Sequence, residues 1–156
     1  IAESRVETFA GPATAITYAT PWDPMQHLAI VYGDIRDGRD VPVRLHLESV
    51  VDDVFEGSHL RSLVERIAKG GRGVVIYLRE GSVGVSRASE RPRPMAGEDH
   101  DSASARSEQW REIGLGAQIL NDLGVSTIRL VTSRERHYVG LSGYGIDITS
   151  TDIIDG

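Results

Sequence analysis

The sequence contains no cysteine among its 156 residues. That excludes disulfides, thiolate metal sites and thiol nucleophiles built from it, and it fits a reducing, cytoplasmic setting. Long apolar runs are missing as well. Nothing approaches the roughly 18 consecutive apolar residues of a membrane-spanning helix, and no charged-then-apolar leader opens the chain, so no membrane partner is expected. An excess of positive charge is also absent. With 17 Lys and Arg against 23 Asp and Glu, the net charge is −6, which argues against a general nucleic-acid binder, normally marked by a basic face or stripe. A nucleotide ligand stays compatible, because a few placed arginines hold one phosphate group. The first position is Ile1 and not methionine. The expectation is a longer protein, with an N-terminal partner domain or a leader ahead of this one.

What is present is ordinary for a soluble globular protein, at 40% hydrophobic and 26% charged residues, and the length suits one domain over 1–156. Arg5 to Tyr18 alternates around Gly11-Pro12 as two short strands meeting at a turn, and Pro21-Trp22-Asp23-Pro24 marks a second turn. His27 to Tyr32 reads as a mostly buried strand. Asp37-Gly38 is a hairpin signal, with Val41 to Glu48 as the return strand. On it Val43, Leu45 and Leu47 face one side, and Arg44, His46 and Glu48 the other. Beyond Ser58, a plausible N-cap, Leu60, Leu63, Val64, Ile67 and Ala68 follow helical spacing up to Gly70-Gly71. Gly73 to Leu78 is a continuous apolar strand of the doubly covered kind. A second helix over Glu108 to Leu123 stops at Gly124. The strand Thr127 to Thr132, a short helix over Glu135 to Leu141 and a last strand Asp147 to Thr151 follow. The fold class is therefore α/β: an antiparallel β layer followed by a parallel β-α-β-α-β sheet. Ser82 to Ser107, polar and almost without apolar residues, is expected to be a mobile loop, a linker or a lid, at about 82–107. It leaves the carboxyl end of a strand, where open α/β folds bind ligands.

These segments, taken in order, resemble the GTP cyclohydrolase II family of riboflavin biosynthesis over nearly the whole chain. His27 to Asp34 looks like H-x-A-L-V-x-G-D, Arg44 to Ser49 like R-V-H-S-E-C, and Asp53-Val54-Phe55 like the following D-x-F. Gly71 to Tyr77 is similar to the strand before the family's E-G-R loop. Gly114 to Val125 is similar to its G-x-G-A-Q-x-L-x-D-L-G-V helix, Leu130-Val131-Thr132 to L-L-T, and Gly140 to Ile146 to its glycine-rich tail. The resemblance implies opening of the imidazole ring of GTP with release of formate and pyrophosphate. It also implies a three-cysteine zinc that activates water, an arginine that attacks the α-phosphate, and a supporting Asp.

Several of these implied parts are replaced. Ser49 stands at the first cysteine, and the C-x-C is missing where Gly57 runs into Ser58-His59-Leu60. A serine hydroxyl, whose pKa lies far above neutrality, does not substitute for a thiolate. The phosphate loop persists only as Glu80-Gly81-Ser82, Gln109 takes the Asp position, and His137 that of an expected lysine. Arg111 keeps the nucleophile's position in vestigial form. Arg44, His46, Glu48 and Thr132 keep their places and, with Glu80 and His137, form the expected nucleotide-binding set. Arg44, His46 and Glu48 read equally as the solvated face of a half-buried sheet, and Arg111 as an exposed helix residue beside Glu108 and Glu112. Asp52, Asp53 and Glu56 read as surface charge on a loop entering a helix. A replacement metal site from His46, Glu48, Asp52, Asp53 and His59 fits no standard ligand spacing. Arg129, Arg134 and Arg136 form a basic cluster serving solubility or phosphate attraction.

The resulting expectation is a cyclohydrolase-II-like domain without zinc or another assigned cofactor, magnesium being left open. Its role would be structural or regulatory beside an N-terminal 3,4-dihydroxy-2-butanone-4-phosphate synthase domain. Weak GTP or other nucleotide binding and a homodimer are expected. The alternatives are an active GTP cyclohydrolase II and a nucleotide-binding sensor without turnover.

Overall fold

Alternation of short β-branched and polar residues builds the first hairpin. Strands β1 (Ala2–Thr8) and β2 (Gly11–Thr20) pair antiparallel from Ala2↔Thr17 to Thr8↔Gly11, around a two-residue turn at Phe9-Ala10. The computed structural model describes residues 2–20, 23–48, 50–55, 59–79, 113–132 and 141–153. Strand β3 (Asp23–Tyr32) pairs antiparallel with β2, and β4 (Val41–Leu47), β5 (Gly73–Leu78), β6 (Thr127–Thr132) and β7 (Asp147–Ile153) complete one seven-stranded sheet in the order β1-β2-β3-β5-β4-β6-β7. The pairs β4–β5, β4–β6 and β6–β7 are parallel, whereas β3–β5 is antiparallel. The result is one mixed α/β sheet, antiparallel at one side and parallel at the other.

This order corrects the expected hairpin at Asp37-Gly38. Strands β3 and β4 are not neighbours, because β5 lies between them. The connection spans 33–40, too long for a two-residue hairpin turn, and it is anchored away from β3. Gly38 N bonds Ile35 O at 3.0 Å, and Gly38 O accepts Ser126 N at 2.8 Å and Thr127 N at 3.1 Å. Arg72 fixes the outer side, donating to Asp37 Oδ1 and to Arg39 O, each at 2.6 Å. Gly38 has φ 66°, and a Cβ there would stand 2.1 Å from Gly124 O. Glycine is thus required both by conformation and by close backbone approach. The turn delivers β4 to the start of β6, and the all-apolar β5 takes the place beside β3.

Both faces of the central strands are covered. The helix α1 (His59–Lys69) lays Leu63, Val64 and Ile67 on Val75, Tyr32, Ala13 and Val131. On the opposite face a second helix, α2 (residues 113–122), packs Ile113, Ala117, Ile119 and Leu120 against Val43, Leu45, Val74, Ile76 and Leu130. The expected faces of α1 and β4 are those observed. Helix α2 ends in a Schellman arrangement: Val125 N bonds Leu120 O at 2.9 Å, and Gly124 N bonds Asn121 O at 3.1 Å. Gly124 carries the required positive φ of 78°. Val125 and Leu120 are both buried in the same core. The Ser58 cap, the loop at about 82–107 and, apart from Leu141, the expected helix Glu135 to Leu141 lie outside the described residues. The last strand runs to Ile153, two residues beyond the expected end.

Candidate functional site

Because β4, β5, β6 and β7 are parallel, their carboxyl ends share one edge of the sheet, where open α/β sheets place ligands. Strand alternation turns Arg44, His46 and Glu48 away from the core that holds Val43 and Leu45. Arg44 reaches across to the end of β6, its NH1 lying 3.4 Å from Thr132 Oγ1. His46 is the register partner of Tyr77 on β5, and the two rings stack with centroids 5.3 Å apart and planes at 22°.

A short π-helical turn, Val51–Phe55, follows β4. From it Asp53 returns to the sheet, with Oδ1 2.8 Å from His46 Nε2 and Oδ2 accepting the Tyr77 hydroxyl at 2.5 Å. The Asp53 side chain is only 6% exposed. It is therefore not the surface charge expected from the sequence. Burial first, and then the bond to the Asp53 carboxylate, push the Tyr77 phenol well above its ordinary range, so it is a donor at neutral pH.

A second node closes the β3 side. Glu48 is 4% exposed overall, and its Oε1 lies 3.3 Å from Nε of Arg79, whose side chain is 45% exposed. The Glu48 backbone N bonds Leu78 O at 2.8 Å, extending the β4–β5 ladder. The Arg79 backbone N donates to Nδ1 of buried His27 at 3.0 Å. A nitrogen that accepts a hydrogen bond carries no proton, so neutral His27 holds its proton on Nε2. One carboxylate, one guanidinium and one imidazole thus tie together the ends of β4, β5 and β3.

Of the expected nucleotide-binding residues, Arg44, His46, Glu48 and Thr132 gather at this edge. Glu80, Gln109, Arg111 and His137 lie outside the described residues, as does Ser49. Tyr77, Arg79 and His27 join the cluster without having been expected there, and Asp53, grouped with His46 and Glu48 only as a replacement metal ligand, joins it as the hydrogen-bonding partner of His46 and Tyr77. The D-V-F spacing marks Asp53, but its partners depend on strand register, which no local pattern displays. Arg129 forms an ion pair at 3.1 Å with Asp152 of β7, while Arg134 and Arg136 lie outside the described residues.

The zinc implied by the resemblance does not fit these residues. No thiolate exists in the sequence, and among the described residues no three His, Asp or Glu side chains converge as metal ligands. Within the replacement set considered from sequence, His46 and Asp53 are engaged with each other and Glu48 faces Arg79. The side chains of Asp52 and His59 lie outside the described residues.

Comparison with known proteins agrees with this architecture. The chain is 41% identical over 165 residues to the riboflavin biosynthesis protein RibBA of Mycobacteroides abscessus, an alignment covering 95% of this chain and 40% of that protein. It is 37% identical over 153 residues to the monofunctional riboflavin biosynthesis protein RIBA 2, chloroplastic, of Arabidopsis thaliana, covering 95% of this chain and 32% of the relative. The chain thus spans less than half the length of the curated relatives it matches. Among solved structures, RibBX, a two-domain 3,4-dihydroxy-2-butanone 4-phosphate synthase from A. baumannii, is similar with a TM-score of 0.64 and 25% identity, over 96% of this chain and 39% of that one. The profile of the GTP cyclohydrolase II family matches residues 1–152, and the chain belongs to that family.

Proposed function

We propose that residues 1–156 form a single GTP cyclohydrolase II-like domain of riboflavin biosynthesis that has lost zinc-dependent ring opening. It acts as a structural or regulatory partner of a 3,4-dihydroxy-2-butanone-4-phosphate synthase domain, in the cytoplasm and as a homodimer. The observation carrying this reading is the chemistry at the family's metal position. Ser49 replaces a thiolate there, and the nearby described donors are bound to one another. Catalytic zinc needs three anionic or imidazole ligands with lone pairs directed at one point. Support for the partner comes from the two-domain synthase that this chain resembles over 39% of its length.

The same residues suit a weakened nucleotide pocket. Arg44 beside Thr132 supplies positive charge at the carboxyl edge, and Arg111 stays at the position of the family's nucleophile. Against this stand the changes at Ser82, Gln109 and His137. A charge-assisted hydrogen bond contributes roughly 1.5–3 kcal/mol, so two or three such losses remove most GTP affinity. In the second reading, a nucleotide-binding sensor, Arg44 and Thr132 still hold the ligand without turnover. In the third, an active GTP cyclohydrolase II produces a diaminopyrimidine, formate and pyrophosphate.

Incubation of the purified protein with GTP, zinc and magnesium, followed by a formate assay, tests the proposal. No formate above the protein-free control is expected, and stoichiometric or catalytic formate would contradict it. Calorimetric GTP binding without formate selects the sensor. Neither binding nor formate leaves the scaffold.

A further inference from the structure

Asp53 stands on a turn outside the sheet, yet its two carboxylate oxygens are both committed to side chains of the central strands. Oδ1 faces His46 Nε2 at 2.8 Å and Oδ2 accepts the Tyr77 hydroxyl at 2.5 Å. His46 and Tyr77 are themselves stacked register partners. The three side chains form a closed triangle, with the Asp53 side chain 6% and that of His46 13% exposed. An ionised carboxylate has only acceptors, so the proton in the His46–Asp53 bond must sit on Nε2. This holds for the neutral ring and for the imidazolium alike.

We propose that Asp53 is a positioning residue of this site, which fixes His46 with Nε2 as a standing donor and sets its ring plane against Tyr77. The orientation of a histidine by a carboxylate on one nitrogen is a general device for defining what the other nitrogen does. Here the nitrogen committed to the carboxylate is Nε2. Nε2, which carries the proton of that bond, has no lone pair to offer a cation. Within the weakened nucleotide pocket, Nε2–H is then engaged by Asp53 and not offered to a ligand. That last consequence rests on the pocket reading, whereas the tautomer does not.

Two-dimensional ¹H–¹⁵N multiple-bond correlation spectra of the ¹⁵N-labelled full chain, without nucleotide, test the assignment. The His46 signals are identified by their loss in His46→Gln. At alkaline pH His46 should show a protonated Nε2 and an unprotonated Nδ1. A protonated Nδ1, or an even mixture of tautomers, would overturn the proposal. Asp53→Leu, which removes both acceptors, should shift the ring to a mixture, and persistence of the single Nε2–H form would overturn it. Should that variant not fold, Asp53→Asn serves instead. Its neutral carbonyl retains Nε2–H but should move the proton resonance upfield, and an unmoved resonance would count against Asp53 as the acceptor. Because no ligand is present, failure of nucleotide binding leaves these outcomes unchanged.

Discussion

Asp53 shows how little of a residue's role is carried by its local surroundings. Next to Asp52 and a polar turn it resembles surface charge, but in the fold it is buried between His46 and Tyr77. One consequence can be measured on the phenol. Burial and the Asp53 bond raise the Tyr77 pKa above the ordinary value of about 10. Burial and the bond to Asp122 do the same for Tyr18. In an alkaline titration followed by tyrosinate absorbance, Tyr77→Phe should remove a late-ionising phenol, and an unchanged high-pH limb would contradict the assignment. The sign for stability follows. A folded-state pKa above the unfolded one means that the unfolded chain ionises first. The stabilising contribution of Tyr77 is therefore intact below about pH 10 and fades as pH rises toward the folded value. The stability advantage of the wild type over Tyr77→Phe should be constant below that pH and shrink above it.

Two glycines separate backbone strain from steric overlap. Gly124 and Gly38 both have positive φ, yet a Cβ on Gly124 meets nothing within 4 Å, whereas one on Gly38 meets Gly124 O at 2.1 Å. Left-handed conformation alone costs a non-glycine residue roughly 1–2 kcal/mol. Gly124→Ala should lose about that much in urea denaturation, and Gly38→Ala clearly more, because the anchor between the 33–40 connection and the start of β6 must open. Equal losses would show that the close approach is not what holds that turn.

At the scale of elements, α1, α2 and the strands β4 to β7 were legible because their signals are local, whereas the first turn falls at Phe9-Ala10 and not at Gly11-Pro12. The spacing of Leu63, Val64 and Ile67 names the buried face of α1, and alternation along β4 separates Val43 and Leu45 from Arg44 and His46. Gly124 names the stop of α2 through a cap that needs only neighbouring residues. Strand order was not legible. Asp37-Gly38 is a turn signal that says nothing about which strand comes to lie beside β3, and β5 takes that place because its uninterrupted apolar run suits a position covered on both faces. The site inherits the same limit. His46 meets Tyr77, and His27 meets Arg79, only through register between strands far apart in sequence. Ile67 offers an elemental test. Truncation of a fully buried isoleucine costs about 2–5 kcal/mol, so Ile67→Ala should destabilise the protein by an amount in that range. A loss under 1 kcal/mol would mean that α1 does not pack on Val75 and Val131 as described.

For the whole molecule, family membership and chemistry point in different directions. The sheet, the two covered faces and the match over residues 1–152 place the chain in the GTP cyclohydrolase II family. The residues at the metal position supply no thiolate, and the described polar groups nearby form their own network of carboxylate, imidazole, phenol and guanidinium. Each of the two carboxylates, Asp53 and Glu48, has a protein partner in that network, so on the account proposed above the stability of the described sheet should be indifferent to chelation. Thermal unfolding with and without a strong chelator should give the same midpoint within about 1 °C, since even 1 kcal/mol would shift it by roughly 2–4 °C in a domain of this size. The most direct measurement is the zinc content of the protein purified from zinc-supplemented culture without chelators, by atomic spectrometry against protein concentration. Far less than one zinc per chain is predicted, and a value near one per chain would contradict the account.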